Sequence, residues 1–127
     1  DRLRAVVTGI DPDTPVAGRI DPSAAHAEYP TPVLHALSEA LGEALRNSLL
    51  HAGPDAGRAV LLEAADGMLR VTVVDDGVGF EPSAVPPERL GMQVSIRGRM
   101  AALPGGSSTV HSRPRRGATV QLTWERP

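Results

Sequence analysis

The sequence predicts a two-layer α/β sandwich in which a mixed, mainly antiparallel sheet of about five strands is covered by helices. Three observations predict it. Residues 31–52 carry apolar side chains at helical spacing, two pairs of strand-like runs each meet at a turn signal, and a second helical stretch separates the pairs. Because an antiparallel strand pair must bury its apolar face, the long amphipathic helix is its natural cover.

The composition is that of one domain without covalent cross-links. The chain has 127 residues, no cysteine and a formal net charge of −2. The lack of cysteine excludes disulfides and thiolate metal sites. The small net charge gives no general attraction to nucleic acid or to an anionic membrane, and no apolar run is long enough to span a bilayer. We therefore expect no nucleic-acid partner and no direct membrane contact.

The first thirty residues carry weak signals. Residues 2–10 fit either a helix or a first strand, and residues 16–20 fit a short strand at a sheet edge. Turns are expected at residues 11–15 and 21–23, where Asp and Pro cluster. Because the sequence begins at Asp1 and not at a Met, we expect it to be a processed or excised piece of a longer protein.

The long helix is predicted to begin with Thr31 as its N-cap and Pro32 at the first helical position. It should end near Ala52, because Gly53 and Pro54 follow. The apolar stripe that would face the sheet consists of Leu34, Leu37, Leu41, Leu45, Leu49 and Ala52.

A second face of this helix carries Glu43, Asn47 and His51. Each step of four residues turns a side chain by only about 40° and moves it about 6 Å along the axis. The three side chains therefore form one slanting polar ridge. Taken alone, such a ridge fits a solvated helix face as well as a ligand-binding face.

Two hairpins and a second helix follow. Runs 58–65 and 68–74 meet at Asp66-Gly67, and runs 107–112 and 118–124 meet at turn 113–117. Between the hairpins, a loop with Pro82, Pro86 and Pro87 is too polar for an element of its own. The second helix is predicted over residues 91–103, with an apolar stripe of Met92, Ile96, Met100 and Leu103.

Glycine-containing segments after the strands could approach a ligand. The Asp75 carboxylate, at a strand end, could accept a hydrogen bond from an amino group on a base, and Gly77 and Gly79 let the backbone lie close to it. Gly91 is predicted at a helix N-terminus, which favours phosphate, and Thr119 could add a hydroxyl nearby. Each signal alone also fits an ordinary turn or helix start.

Together and in this order, these segments resemble the ATP-binding catalytic domain of sensor histidine kinases, within the Bergerat-fold ATPase superfamily that includes gyrase B, Hsp90 and MutL. The resemblance covers residues 31–124. The short loop between Phe80 and Gly91 and the sequence of residues 89–100 resemble those of the short-lid kinases that partner helix-turn-helix response regulators. The resemblance implies a Bergerat fold, the cofactors ATP and Mg²⁺, and transfer of the γ-phosphoryl group to a histidine.

The resemblance also implies roles for the polar ridge. Asn47 matches the asparagine that coordinates Mg²⁺. Glu43 matches a glutamate that orients or activates the attacking group, and His51 matches a position that faces the phosphates, so these two are the catalytic candidates.

The glycine-containing segments match the nucleotide pocket of that family. Asp75 corresponds to the aspartate that binds the adenine amino group, and Gly77 and Gly79 shape its pocket. Gly91 corresponds to a lid-hinge glycine, and Thr119 lies near the usual threonine.

Two positions depart from the family pattern. Arg89 stands where the first lid glycine is often found, and Ala118 follows Gly117 where threonine is usual. These departures favour an alternative in which the domain is a nucleotide-binding regulatory module without turnover. A second alternative is a serine kinase of the anti-sigma-factor type, which shares the fold.

The phosphoacceptor is expected outside this chain. The chain has four histidines, His26, His35, His51 and His111. None has the flanking residues of an acceptor site in the family. We therefore interpret residues 1–127 as the catalytic domain without its dimerisation domain. The expected partners are ATP, the dimerisation and phosphoacceptor domain of the same protein and, indirectly, a response regulator. The expected location is the cytoplasm, whether or not the parent protein is anchored in a membrane.

Overall fold

The computed structural model describes residues 2–85 and 87–127, so Pro86 of the predicted loop lies outside the described residues. Within these residues there are three α-helices and five strands. The helices are α1 (Arg2–Ile10), α2 (Thr31–His51) and α3 (Pro87–Ala102), and the strands are β1 (Val16–Ile20), β2 (Arg58–Ala65), β3 (Met68–Asp75), β4 (Gly106–Ser112) and β5 (Ala118–Glu125). Short 3-10 helices occupy Pro22–Ala24 and Pro82–Ala84. None of the helices in these two ranges has the length and hydrophobicity needed to cross a membrane.

The strands form one mixed sheet in the order β1-β2-β3-β5-β4. Neighbouring strands are antiparallel except β1, which runs parallel to β2 at one edge. The Asp66-Gly67 turn joins β2 to β3, and Gly67 has a φ of 73°, a left-handed conformation that glycine adopts without a Cβ penalty. The predicted α/β sandwich, both hairpins and the edge strand are confirmed.

The two predicted turns before α2 are held by aspartate side chains. Asp11 Oδ2 accepts a hydrogen bond from the Thr14 hydroxyl at 2.7 Å, and Asp21 Oδ1 accepts one from the Ser23 N–H at 2.9 Å. These hydrogen bonds lower the pKa of both carboxyl groups. The turns bring the chain from α1 to β1 and then from β1 toward α2.

The apolar core lies between the sheet and the helices. Leu37, Leu41 and Leu45 of α2 are completely buried, in one cluster with Val71 and Leu122 of the sheet. Helices α1 and α3 add Leu3, Val7, Ile96 and Met100 to the same cluster, and Leu103, directly after α3, also belongs to it.

The prediction that Leu49 belongs to the buried stripe is wrong, because Leu49 is 38% exposed. The three four-residue steps from Leu37 to Leu49 accumulate about 120° of rotation, which turns Leu49 off the buried face. Ala52, seven residues after Leu45, returns to that face and is buried.

Both predicted helix starts need correction. Thr31 is the first helical residue of α2 and not its N-cap, which is Pro30 without a side-chain hydrogen bond. Pro32 has no N–H to satisfy, so the first turn needs less capping. Helix α3 begins at Pro87, four residues before Gly91, because proline is favourable at a first helical position. The Pro-rich segment therefore supplies a 3-10 turn and a helix start instead of a featureless loop.

Substitution in α2 tests the assigned core face. Leu45→Ala should lower the free energy of unfolding by about 2–5 kcal/mol, because it opens a cavity at a fully buried position. Leu50→Ala, on the same helix but 69% exposed, should change it by no more than about 0.5 kcal/mol. Urea denaturation of both variants measures the difference, and equal losses would contradict this placement of the helix.

Candidate functional site

A cavity of about 50 Å³ lies between α2, the sheet and α3. Apolar side chains form much of its wall. Polar side chains reach it from four elements, and they are Asn47, Ser48, Asp75, Gln93, Arg97 and Ser108. A mostly apolar cavity with a few convergent polar groups is the usual form of a small-molecule site.

Asp75 lies at the end of β3 and is fixed by three hydrogen-bond donors. Its Oδ1 accepts from the N–H of Gly77 at 3.0 Å and from the N–H of Ala118 at 3.2 Å. Its Oδ2 accepts from the Ser48 hydroxyl at 2.9 Å. A carboxylate oxygen can accept two hydrogen bonds, so Oδ2 retains one acceptor position, and Asp75 lines the cavity.

Two positions after Asp75, Gly77 and Gly79, must be glycine because neighbouring backbone atoms leave no room for a Cβ. A Cβ on Gly77 would lie 2.2 Å from the carbonyl oxygen of Ala52, at the end of α2. Gly79 has a φ of 60°, and a Cβ there would lie 2.0 Å from the carbonyl oxygen of Arg113 in the β4–β5 hairpin. Gly77 and Gly79 therefore shape the site by docking the turn on two neighbours, which holds Asp75 in place.

Asn47 contributes an unsatisfied oxygen to the cavity. Its Oδ1 is buried and has no hydrogen-bond partner among the described residues. An unpaired buried acceptor is unfavourable, so this oxygen suits a ligand that supplies a donor or a cation. Among residues 2–85 and 87–127 no group of three or more His, Cys, Asp or Glu could hold a metal. A Mg²⁺ ion beside Asn47 would therefore take most of its ligands from phosphate oxygens and water.

The other two members of the polar ridge lie outside the cavity wall. The Glu43 carboxylate forms an ion pair with Arg99 and accepts a hydrogen bond from the Ser95 hydroxyl at 3.2 Å, both on α3. His51 is half-buried at the last position of α2. Because each four-residue step rotates about 40°, the ridge crosses the cavity obliquely and only Asn47 faces it.

The expectation that Gly91 and Thr119 lie at the site is not met, because neither residue lines the cavity. Gly91 lies inside α3, exposed, and a Cβ there would meet nothing within 4 Å, so its predicted place at a helix N-terminus is wrong. On β5, Ala118 and Val120 line the cavity. Side chains alternate along a strand, so Thr119 points to the opposite face of the sheet. The side chains of Arg89 and Met92 lie outside the described part of the structure.

Two further polar residues of the cavity wall, Ser48 and Ser108, were not predicted from the sequence. Ser48 is buried and directly follows Asn47, on the helix face occupied by Ala44 and Ala52. A hydroxyl on an otherwise apolar helix face was the available signal. Ser108 alternates with the outward residues of β4, so the period-two pattern could have placed it beside Val110 in the cavity wall.

The comparisons with known proteins agree with this fold. The family model of histidine kinase-, DNA gyrase B- and HSP90-like ATPases matches residues 33–127. The histidine kinase domain of the blue-light activated kinase from Erythrobacter litoralis shares 25% identity and a TM-score of 0.64, over 97% of this chain and 57% of that chain. This chain thus spans little more than half of that domain.

Two further solved structures are similar in fold. The mycobacterial sensor histidine kinase MprB has 19% identity and a TM-score of 0.63, over 100% of this chain and 92% of that chain. The histidine kinase ThkA, solved in complex with the response regulator protein TrrA, has 14% identity and a TM-score of 0.70, over 99% of this chain and 40% of that chain. No curated protein sequence matches the chain.

Glycine substitutions test the docking of the Asp75 turn. Gly79→Ala should lower the free energy of unfolding by about 2 kcal/mol or more, because of its left-handed φ and the clash with Arg113. Gly91→Ala should raise it by about 0.5–1 kcal/mol, because alanine is the better helix former and has open space. Thermal and urea unfolding measure both, and a tolerated Gly79→Ala would contradict the docked turn.

Proposed function

Because the chain belongs to the histidine kinase-, DNA gyrase B- and HSP90-like ATPase family, we propose that it is the ATP-binding catalytic domain of a sensor histidine kinase. The domain binds ATP with Mg²⁺ and transfers the γ-phosphoryl group to a histidine on a separate dimerisation domain. A response regulator then receives the phosphoryl group. The observation that carries the proposal is that an acceptor position on Asp75 and the unsatisfied Asn47 oxygen face one cavity.

Asp75 selects the base in this proposal. The remaining acceptor position of Oδ2 suits the exocyclic amino group of adenine, which donates a hydrogen bond. Guanine presents a carbonyl oxygen at the corresponding position, and two facing acceptors would repel each other. A site built around a hydrogen bond discriminates strongly against a base that cannot form it, because the buried polar group is then left unpaired.

Asn47 acts on the triphosphate side. Its Oδ1 would provide one oxygen ligand for Mg²⁺, which when bound would supply charge neutralisation for phosphoryl transfer. The bond between Pγ and its bridging oxygen breaks, a bond from Pγ to the acceptor nitrogen forms, and ADP leaves. The chain contributes mainly by positioning the reactants.

Nucleotide binding requires α3 to move relative to α2. The cavity of about 50 Å³ is far smaller than the roughly 300 Å³ of a typical ligand pocket. The ion pair of Glu43 with Arg99 links the two helices in the closed arrangement. The same movement therefore opens the pocket and frees Glu43, which in this proposal orients the attacking group. His51, one turn beyond Asn47, is the proposed residue beside the phosphates.

The relatives support the class and the partner. The Erythrobacter litoralis relative is a histidine kinase domain, and ThkA forms a complex with a response regulator protein. By analogy, the partners proposed here are a dimerisation domain of the same protein and a response regulator. The proposed location is the cytoplasm, where these partners meet ATP.

A nucleotide-binding module without turnover is the second candidate. Ala118 favours it, because this residue gives Asp75 a backbone N–H but brings no hydroxyl to the site. Base recognition would survive such a change better than turnover, because Asp75 and Asn47 are untouched.

Calorimetric titration with ATP and Mg²⁺ tests the base site. Asp75→Asn should weaken binding at least about tenfold, because an amide disturbs the three donors that now hold the carboxylate. Asp76→Asn is the matched control. Asp76 is exposed and accepts from the Gly57 N–H, so ATP affinity should stay unchanged. No binding by the folded natural sequence, or equal losses in both variants, would overturn the proposed site.

Magnesium dependence tests the role of Asn47. ATP affinity is measured with Mg²⁺ and with a chelator. Asn47→Ala should abolish most of the difference, because the oxygen ligand is lost, whereas Asn47→Asp should retain it, because an oxygen remains. If Asn47→Ala keeps the full magnesium effect, Asn47 is not a ligand.

Transfer from radiolabelled ATP to the dimerisation domain of the parent protein tests turnover. The kinase proposal expects an acid-labile phosphohistidine. Binding without transfer would favour the regulatory module, and an acid-stable phosphoserine on a partner protein would favour the serine kinase.

A further inference from the structure

A hydroxyl on α2 holds the oxygen of Asp75 that has an open acceptor position. Ser48 Oγ lies 2.9 Å from Asp75 Oδ2, and Ser48 is buried. The other carboxylate oxygen, Oδ1, is held by backbone N–H groups of Gly77 and Ala118. The position of Oδ2 therefore depends on a side chain, whereas Oδ1 is fixed by the backbone.

Arg58 determines which way the Ser48 hydroxyl donates. Its Nε donates to Ser48 Oγ at 3.2 Å, and a guanidinium has no acceptor. Ser48 Oγ therefore accepts from Arg58, and its single hydrogen is left for Asp75. Arg58 and Asp75 are directly opposite each other in the register of β2 and β3, so all three groups are placed by rigid elements.

The two hydrogen bonds from Arg58 to Ser48 and from Ser48 to Asp75 form a donor chain, which leaves Asp75 Oδ2 as an acceptor in a fixed direction. Two donors in sequence, one of them charged, strengthen the hydrogen bond to the carboxylate. On β5, Ala118 supplies no side-chain donor, so the hydroxyl at this end of the cavity comes from α2. The arrangement differs from a carboxylate that is oriented by solvent alone.

We propose that Ser48 is a positioning residue for base recognition, oriented by Arg58, and that it sets the preference of the site for a 6-aminopurine. The role rests on the proposed ATP binding. Because Ser48 donates its hydrogen to Asp75, its expected effect is on recognition of the base.

Two ligands distinguish a loss of base recognition from a general loss of nucleotide binding. ATP carries the 6-amino group, and purine riboside triphosphate lacks it but keeps the same ring, sugar and phosphates. Ser48→Ala should weaken ATP binding about tenfold, because a hydrogen bond to a charged group is lost, and should leave purine riboside triphosphate binding unchanged. Ser48→Thr keeps the hydroxyl and should keep the ATP preference.

Arg58→Met tests the orientation of the hydroxyl. Alone it should lower the ATP preference in the same direction as Ser48→Ala, but less. In the Ser48→Ala background it should have no further effect on that preference, because Arg58 acts through Ser48. Additive losses in this double-mutant cycle would contradict the donor chain.

Isothermal titration of both triphosphates is done on each variant after thermal unfolding confirms a folded domain. If the natural sequence binds neither triphosphate, the proposed function fails, and this role fails with it. If it binds ATP and Ser48→Ala has the same preference, only the role of Ser48 is overturned. Equal weakening of both ligands in Ser48→Ala would show a merely structural role. If Ser48→Ala does not fold, Arg58→Met decides through the same ratio.

Discussion

The site depends on the docking of one turn against two neighbouring backbones. The N–H of Val78 donates to the carbonyl of Ala52 at 2.9 Å, and the N–H of Arg115 donates to the carbonyl of Val78. Only glycine permits the close approach at Gly77 and Gly79. The end of α2 and the β4–β5 hairpin are thereby joined through the turn, so the carboxylate of Asp75 is placed by backbone contacts that a solvent-exposed loop would lack.

The opposite wall of the cavity, on α3, is held by an ion pair and by core packing. Helix α3 approaches α2 through the ion pair of Glu43 with Arg99, in which both side chains are partly exposed. Partly exposed ion pairs contribute little net free energy because water competes for both charges. The ion pair therefore adds little resistance to opening, and the main restraint on α3 is the burial of Ile96 and Met100 in the core. Admission of a nucleotide, as proposed, therefore requires a movement of α3 that breaks the ion pair but keeps this packing.

Much of this arrangement could be predicted from the sequence, and the failures have physical causes. The spacing of Glu43, Asn47 and His51 located the helix that lines the cavity, but the ridge drifts around the axis, so only its middle member reaches the cavity. Strand alternation puts Thr119 on the far face, which the sequence pattern could have shown. Prolines suggested a loop before Gly91, although proline at a first helical position begins a helix as readily as it ends one.

In the proposed function, recognition of the base and orientation of the attacking group depend on different contacts of the fold. For base recognition, Ser48 lies on α2, and Arg58 and Asp75 lie opposite each other on the neighbouring strands β2 and β3. Glu43, on α2, is restrained by residues of α3, the element proposed to move. Substitutions in α3 should therefore alter turnover and access while leaving base preference intact. The departures from the family pattern at Arg89 and Ala118 spare Asp75 and Ser48, so affinity for a nucleotide does not by itself demonstrate phosphoryl transfer.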